Sequence, residues 1–377
     1  MFARAAFLRR GRSVLGGAIC CLALSSCAFV PLNPRYEGPP NRPAEIEAYY
    51  HKGNSYKSFS ETTLKKTSNY THKKIDIETD FGPISIDYFQ RRKKSDSLIF
   101  VLPVLGGRNI IADYFARYYA KHGFDTAIVN RSNDFKDVNN FDNIEETFRK
   151  NIVRDRIGID FFEREYQKTT FGTFGISRGA INAAMTAGVD SRLKYNVLAM
   201  GGTDLVGLLR KSDQRGVKKF RDKVIEQKGI SKQEFYEQLR DRVKTDPQYL
   251  ARYMDARNTL MFLSVFDNAV PFRFGQRLRD EIGGPRTVYL LAGHYTSILY
   301  TQYAKLLLPW APICLLPQDY IESEALAFYR ERFKHENTVL STLPYRILQL
   351  PLNIVASTIA NDSEYLKRQP VSGEGSL

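Results

Sequence analysis

The stretch Thr169-Thr170-Phe171-Gly172-Thr173-Phe174-Gly175-Ile176-Ser177-Arg178-Gly179-Ala180-Ile181-Asn182-Ala183-Ala184-Met185-Thr186-Ala187-Gly188 reads as a short apolar strand, a glycine-flanked serine and a helix of small residues. A strand that turns into a helix this tightly crowds the positions two before and two after the serine, and Gly175 and Gly179 occupy them. Ser177 is thereby driven into a strained backbone conformation with its hydroxyl raised at the carboxyl end of the strand. The helix N-terminus beneath it favours developing negative charge. The competing reading, a dinucleotide loop, fails on spacing, because Gly172-x-x-Gly175-x-x-x-Gly179 is not G-x-G-x-x-G.

On either side of this turn, short apolar runs alternate with amphipathic stretches, the pattern of a parallel sheet covered on both faces. The runs predict strands over Ser97–Leu102, Thr126–Asn130, Thr169–Phe174, Asn196–Met200, Leu260–Phe266 and Thr287–Leu291. Helical periodicity covers Ile111–His122, Ile144–Tyr166, Ala180–Gly188, Phe272–Ile282 and Tyr295–Leu308. Upstream, Ile75–Thr79 and Ile84–Tyr88 alternate around Asp80-Phe81-Gly82-Pro83, which predicts an edge hairpin. Thr203–Asn258 breaks the alternation: it is charged, has no strand-like run and contains a Ser231-x-x-Glu234 capping box, so it reads as a helical insertion. Apolar residues at 43% and charged residues at 25% are those of a folded globular chain, so extensive disorder is excluded.

A serine hydroxyl needs a base within hydrogen-bond reach, usually histidine. Of five histidines, His51, His72 and His122 precede Ser177 and His335 falls among the terminal helices. His294 directly follows the predicted strand Thr287–Leu291, in Ala292-Gly293-His294-Tyr295. Asp267 ends the strand before it and leads into Asn268-Ala269-Val270-Pro271, again at the carboxyl edge of the sheet. Asp204, in Gly201-Gly202-Thr203-Asp204, is the rival acid.

Strand, G-x-S-x-G turn, helix, and the order Ser177, Asp267, His294 together resemble the α/β-hydrolase superfamily over a little more than half of the chain. The resemblance implies a mostly parallel, twisted sheet of about eight strands with helices on both faces and a helical cap at 203–258. It implies a catalytic serine, acid and base in these three residues. The segment Ser97–Leu102 running into Pro103-Val104-Leu105-Gly106-Gly107-Arg108 resembles the superfamily's oxyanion loop. That alignment makes the backbone N–H of Leu105 one donor to the oxyanion and that of Arg178 the other, with Val104 as the alternative because Pro103 stands where many members have histidine. Each such donor contributes about 3 kcal/mol to transition-state stabilisation. No metal or organic cofactor is implied.

The amino terminus has a separate role. Arg4, Arg9, Arg10 and Arg12 precede an apolar stretch, Val14–Leu24, too short to span a bilayer, which is the layout of an export signal over residues 1–26. Its end, Leu24-Ser25-Ser26-Cys27, resembles the lipobox of bacterial lipoproteins, which implies cleavage before Cys27 and acylation of that residue. Ala28 after the cysteine favours the outer membrane, facing the periplasm, by the same resemblance. Removing the leader takes Cys20 and Cys21 away and acylation uses the Cys27 thiol, so only Cys314 remains and no disulfide framework is expected. Pro31, Pro34, Pro39, Pro40 and Pro43 predict a semi-rigid spacer over 27–45 that holds the domain off the membrane.

The hydrolase domain is expected over 46–360, with terminal helices from 318 and a disordered tail over 361–377. Net charge falls from +14 to +10 once the four leader arginines are set aside. No basic tract interleaved with aromatics points to nucleic acid, so the surplus is read as a solvated surface. The expected activity is hydrolysis of a carboxylic ester, with amide hydrolysis on the same residues or a non-catalytic envelope scaffold as alternatives. Specificity is assigned to the insertion, in which Tyr249, Tyr253 and Met254 are read first as helix packing and second as pocket lining. The run from Leu343 to Pro351 is read as packing on the domain, with membrane contact the alternative.

Overall fold

The structure is a computed structural model and describes residues 29–53, 55–104, 110–131, 134, 137–302 and 319–368. The export leader, Cys27, Leu105 and Cys314 lie outside the described residues. The chain begins with α1 (Ala44–Tyr49), β1 (Ser58–Lys66), β2 (Tyr70–Glu78), β3 (Ile84–Arg91), β4 (Ser97–Leu102), α2 (Ile110–Lys121) and β5 (Asp125–Val129). It continues through α3 (Ile144–Tyr166), β6 (Thr170–Ile176), α4 (Arg178–Val189), β7 (Leu193–Ala199), α5 (Leu205–Lys211), α6 (Arg215–Lys228), α7 (Lys232–Arg242) and α8 (Pro247–Leu250). The last elements are β8 (Thr259–Ser264), α9 (Phe272–Ile282), β9 (Arg286–Leu290), α10 (Tyr320–Lys334), α11 (Val339–Asn361) and α12 (Ser363–Arg368).

Among the described residues nine strands form one sheet in the order β1-β2-β3-β5-β4-β6-β7-β8-β9. From β5 to β9 every neighbouring pair is parallel, while β1, β2 and β3 form an antiparallel extension that joins β5. Side chains along β4 alternate between two cores. Leu98, Phe100 and Leu102 join α3, α4 and α9 on one face, and Ile99 and Val101 join α2 and α10 on the other. This is why β4 is apolar at every position from Leu98 to Leu102. The chain passes from β4 out to β5 and returns to β6 on the other side of β4, so the order reverses between β4 and β6. Crevices for ligands open at the carboxyl ends of strands at such a reversal.

Three sequence expectations change here. The strand β1 was not predicted: all nine of its residues are exposed, so its pattern carries no alternation, and backbone pairing to β2 defines it. Of the helix expected over Tyr295–Leu308, the described part forms a 3-10 turn, Thr296–Tyr300, after which Thr301 is extended, and 303–308 lie outside the described residues. Hydroxyls explain the short turn, since Ser297 donates to the His294 carbonyl at 2.6 Å and Thr301 to that of Ile298 at 2.7 Å. Part of the tail expected to be disordered over 361–377 is instead structured, because Ser363–Arg368 form α12 and Tyr365 donates to the Val265 carbonyl, while 369–377 lie outside the described residues.

The proline-rich segment is also not a free spacer. Val30 exchanges two backbone hydrogen bonds with Thr287 on the outer edge of β9, at 2.7 and 2.9 Å. Asn33 N–H donates to Gly284 O, Tyr36 OH to Met254 O, and Arg42 to the carbonyls of Ala187, Gly188 and Tyr253. Prolines supply the extended conformation, but the unpaired edge of β9 and the open carbonyl ends of α4 give it partners.

Candidate active site

Ser177 caps α4 with φ 54° and ψ −122°, a conformation that costs a non-glycine residue about 1–3 kcal/mol. Its N–H is tied to Ala199 O on β7 at 2.7 Å, and its carbonyl accepts from Ala180 and Ile181. The flanking glycines are required sterically. A Cβ on Gly175 would overlap the Gly179 backbone, and one on Gly179 would overlap the Leu102 carbonyl oxygen of β4. The G-x-S-x-G spacing is thus a record of how closely β4, β6 and α4 approach each other.

His294 follows β9, and its Nδ1 lies 2.7 Å from Asp267 Oδ2. Asp267 is buried, and its other oxygen accepts the N–H groups of Ala269 and Val270, both at 2.9 Å. Those bonds fix the carboxylate, and with it the ring of His294. Asp204 does a different job. It caps α5 by accepting from Gly207 N–H at 2.9 Å and faces Arg277 at 3.4 Å. Buried Asp246 holds this turn from behind by accepting from Asp204 and Leu205 N–H groups, and burial pushes its carboxyl up to about 6.

Ser177, Arg178 and His294 line one pocket, and Val104 at the end of β4 lines it as well. Arg178 is the first residue of α4, where helical N–H groups lack partners within the helix. Its side chain is half-buried, and lost hydration together with nearby Arg131 holds its guanidinium well below the usual arginine range. Beneath it, Arg131 pairs with Asp155 of α3, which also accepts from Thr186 at 2.9 Å. Leu105 falls outside the described residues.

The remaining wall is mostly hydrocarbon. Ile181 and Met185 of α4 face Leu205, Leu208 and Leu209 of α5, and Val217 and Phe220 of α6 close the far side. Two polar side chains interrupt it, Gln214 and Asn182, and the buried Nδ2 of Asn182 has no hydrogen-bond partner among the described residues. The insertion therefore does contribute lining residues, but not those named from sequence. Tyr249 is exposed and Met254 is packed in the core. The sequence carried a signal for the true set in the Leu205-x-x-Leu208-Leu209 and Val217-x-x-Phe220 spacings. Nothing in it marked Asn182 or the Arg131–Asp155 pair.

No family model matches this chain, and no curated protein matches it in sequence. Solved structures do. Acetyl xylan esterase 1 from Thermoanaerobacterium sp. JW/SL YS485 aligns with a TM-score of 0.52 at 14% identity, over 72% of this chain and 92% of its own. The acetyl xylan esterase from Paenibacillus sp. R4 aligns with a TM-score of 0.51 at 15% identity, over 67% of this chain and 87% of its own. An acylaminoacyl peptidase from Pyrococcus horikoshii aligns with a TM-score of 0.51 at 16% identity, over 73% of this chain but 43% of its own. At these identities the likeness establishes the fold, and the chain has the α/β-hydrolase fold.

Proposed function

We propose that the protein is a serine hydrolase of carboxylic esters, attached by a lipid at Cys27 to the bacterial outer membrane and facing the periplasm. The observation that carries the catalytic part is the Asp267–His294 hydrogen bond at 2.7 Å beside a pocket that also contains Ser177 on its strained turn. Asp267 holds Nδ1 of His294, which leaves Nε2 to take the Ser177 proton as the oxygen attacks the acyl carbon. Negative charge on the carbonyl oxygen is met by the Arg178 N–H and a second N–H from the loop after β4, Leu105 or Val104. His294 returns its proton to the departing alcohol, then draws one from water, which releases the acid and restores Ser177.

Esters are favoured as substrates by the acetyl xylan esterase names among the structural neighbours, and the hydrocarbon wall favours an acyl group longer than acetyl. The experiment is turnover of p-nitrophenyl esters from acetate to dodecanoate by the wild type and Ser177→Ala, with fluorophosphonate labelling of both. Turnover and labelling that vanish with the serine support the reading; unchanged turnover in Ser177→Ala sinks it. Faster cleavage of the matching p-nitroanilides would move the assignment to amides. The anchor is supported by the arginine-led apolar stretch and the Leu24-Ser25-Ser26-Cys27 sequence. Mass spectrometry of the membrane-extracted protein tests it, and an N-terminus other than acylated Cys27 would refute it.

A further inference from the structure

The helix α11 is turned inside out. Its buried face carries Thr342, Arg346, Gln349, Leu350, Asn353, Ala356 and Ala360, chiefly polar or small. Its exposed positions are the apolar Leu340, Pro344, Ile347, Leu348, Pro351, Ile354 and Val355, with the polar Ser341, Thr358 and Asn361. At 100° per residue the seven apolar positions share an arc of about 120°, an apolar stripe from Leu340 to Val355 that ends at Thr358. Leu340 is 81% exposed and Leu348 60%, and five of the twelve large apolar side chains exposed among the described residues lie on this one helix. A surface helix of a globular domain normally shows the opposite arrangement.

Two of the inward polar groups, Arg346 and Asn353, are held by α10. Arg346 pairs with the fully buried Glu324, one of whose oxygens accepts at 2.8 Å, and Asn353 donates to Tyr320 OH at 2.8 Å. Arg346 is the only charged residue in α11, so the exposed stripe is uncharged. Helix pairs in water usually flank their apolar seam with charges that set partner and register, and this stripe has none on its helix.

The start of the described chain lies under the same helix. The Phe29 ring sits 5.3 Å from the Arg346 guanidinium and 5.2 Å from that of Arg286, and Val30 is locked to Thr287 of β9. Cys27 is two residues upstream of Phe29, within about 7.6 Å of it by two Cα steps. Because the proline-rich segment is bound along the domain, an acyl chain on Cys27 would enter the bilayer beside α11.

We infer that the apolar face of α11 is a docking surface for the lipid bilayer, on which the domain lies with Leu340, Ile347, Leu348, Ile354 and Val355 at the acyl boundary. No helix among the described residues is long and apolar enough to cross a membrane, so α11 lies in the interface. The inference leans on the lipid-anchor reading for its choice of partner and is independent of the catalytic one.

The test uses the full chain with Cys27→Ser, so that no acyl chain can be attached, alone and combined with Leu348→Gln, Ile354→Gln and Val355→Gln. Flotation with vesicles of phosphatidylethanolamine containing a minority of phosphatidylglycerol is measured for both; they share the same N-terminal segment, so a difference reports on the helix. The Cys27→Ser chain should float with vesicles and the glutamine variant should bind about tenfold less or weaker. A Leu340→Gln, Leu348→Gln pair, which alters only the two most exposed positions, repeats the comparison if the triple variant melts early. Equal flotation of the face variants and their parent overturns the inference, as does failure of the Cys27→Ser chain to float. Self-association that the glutamines abolish, without vesicle binding, would assign the face to a second copy instead.

Discussion

Asp267 Oδ2 lies 2.7 Å from His294 Nδ1, while Asp204, the other acid at the carboxyl edge of the sheet, is occupied in capping a helix. The two acids should therefore respond differently to removal of charge. Asp267→Asn presents an amide that cannot hold the same tautomer of His294, and kcat should fall by about 10³–10⁴-fold. Asp204→Asn keeps an acceptor for Gly207 N–H and should leave kcat within about twofold. Ester turnover of the two purified variants checks this, and a larger loss in Asp204→Asn would exchange their roles.

Ser177 holds a conformation suited to glycine, with φ 54°. Ser177→Gly and Ser177→Ala should both be inactive, yet the glycine variant should be the more stable by about 1–2 kcal/mol, since it removes the strain that alanine retains. Chemical denaturation midpoints measure the difference. Equal stability would mean that the turn is not strained.

Glu322 of α10 is fully buried, accepts from Tyr114 OH at 2.7 Å and Gln302 N–H at 2.9 Å, and has its other oxygen unpartnered among the described residues. Burial pushes its carboxyl up to about 8, against the lowering effect of those two hydrogen bonds. The folded state then binds a proton more tightly than the unfolded state, where the value is about 4.3. Its stabilising contribution is complete below the unfolded value and is lost as pH rises through about 8. Between pH 7 and 8 the wild type should lose about 1 kcal/mol that Glu322→Gln does not lose. Parallel denaturation series at pH 6.5, 8 and 9 read this out, and parallel slopes would contradict it.

Leu209 lines the hydrocarbon wall without being fully buried, so a larger ring there fills the pocket rather than the core. Leu209→Trp should lower kcat/KM for decanoate esters by about tenfold or more and leave acetate esters within about threefold. The chain-length profile of the variant is the measurement. A uniform drop at every length would place the acyl chain elsewhere.

Much of the site was legible because its markers are local. Gly175 and Gly179 follow from a strand meeting a helix, and Asp267 and His294 follow from their places just after apolar runs. The identity of the pocket wall was not, since Leu205, Leu208 and Val217 come from an insertion whose fold back over α4 depends on contacts distant in sequence. The strand β1 escaped notice for a related reason, because a backbone paired at a sheet edge leaves no mark on nine exposed side chains.

The sequence by itself determined the alternation of strands and helices, the turn that raises Ser177 and the order of the three residues around it. Periodicity also determined that α11 has an apolar face and a polar one. Which face turns inward was decided only in the tertiary structure. Buried Glu324 and the Tyr320 hydroxyl on α10 offer partners to Arg346 and Asn353, so these two side chains turn the polar face inward and the apolar face is left outside. A hydrophobic pattern gives the angle between two faces, and the partners waiting on the neighbouring helix give the rotation.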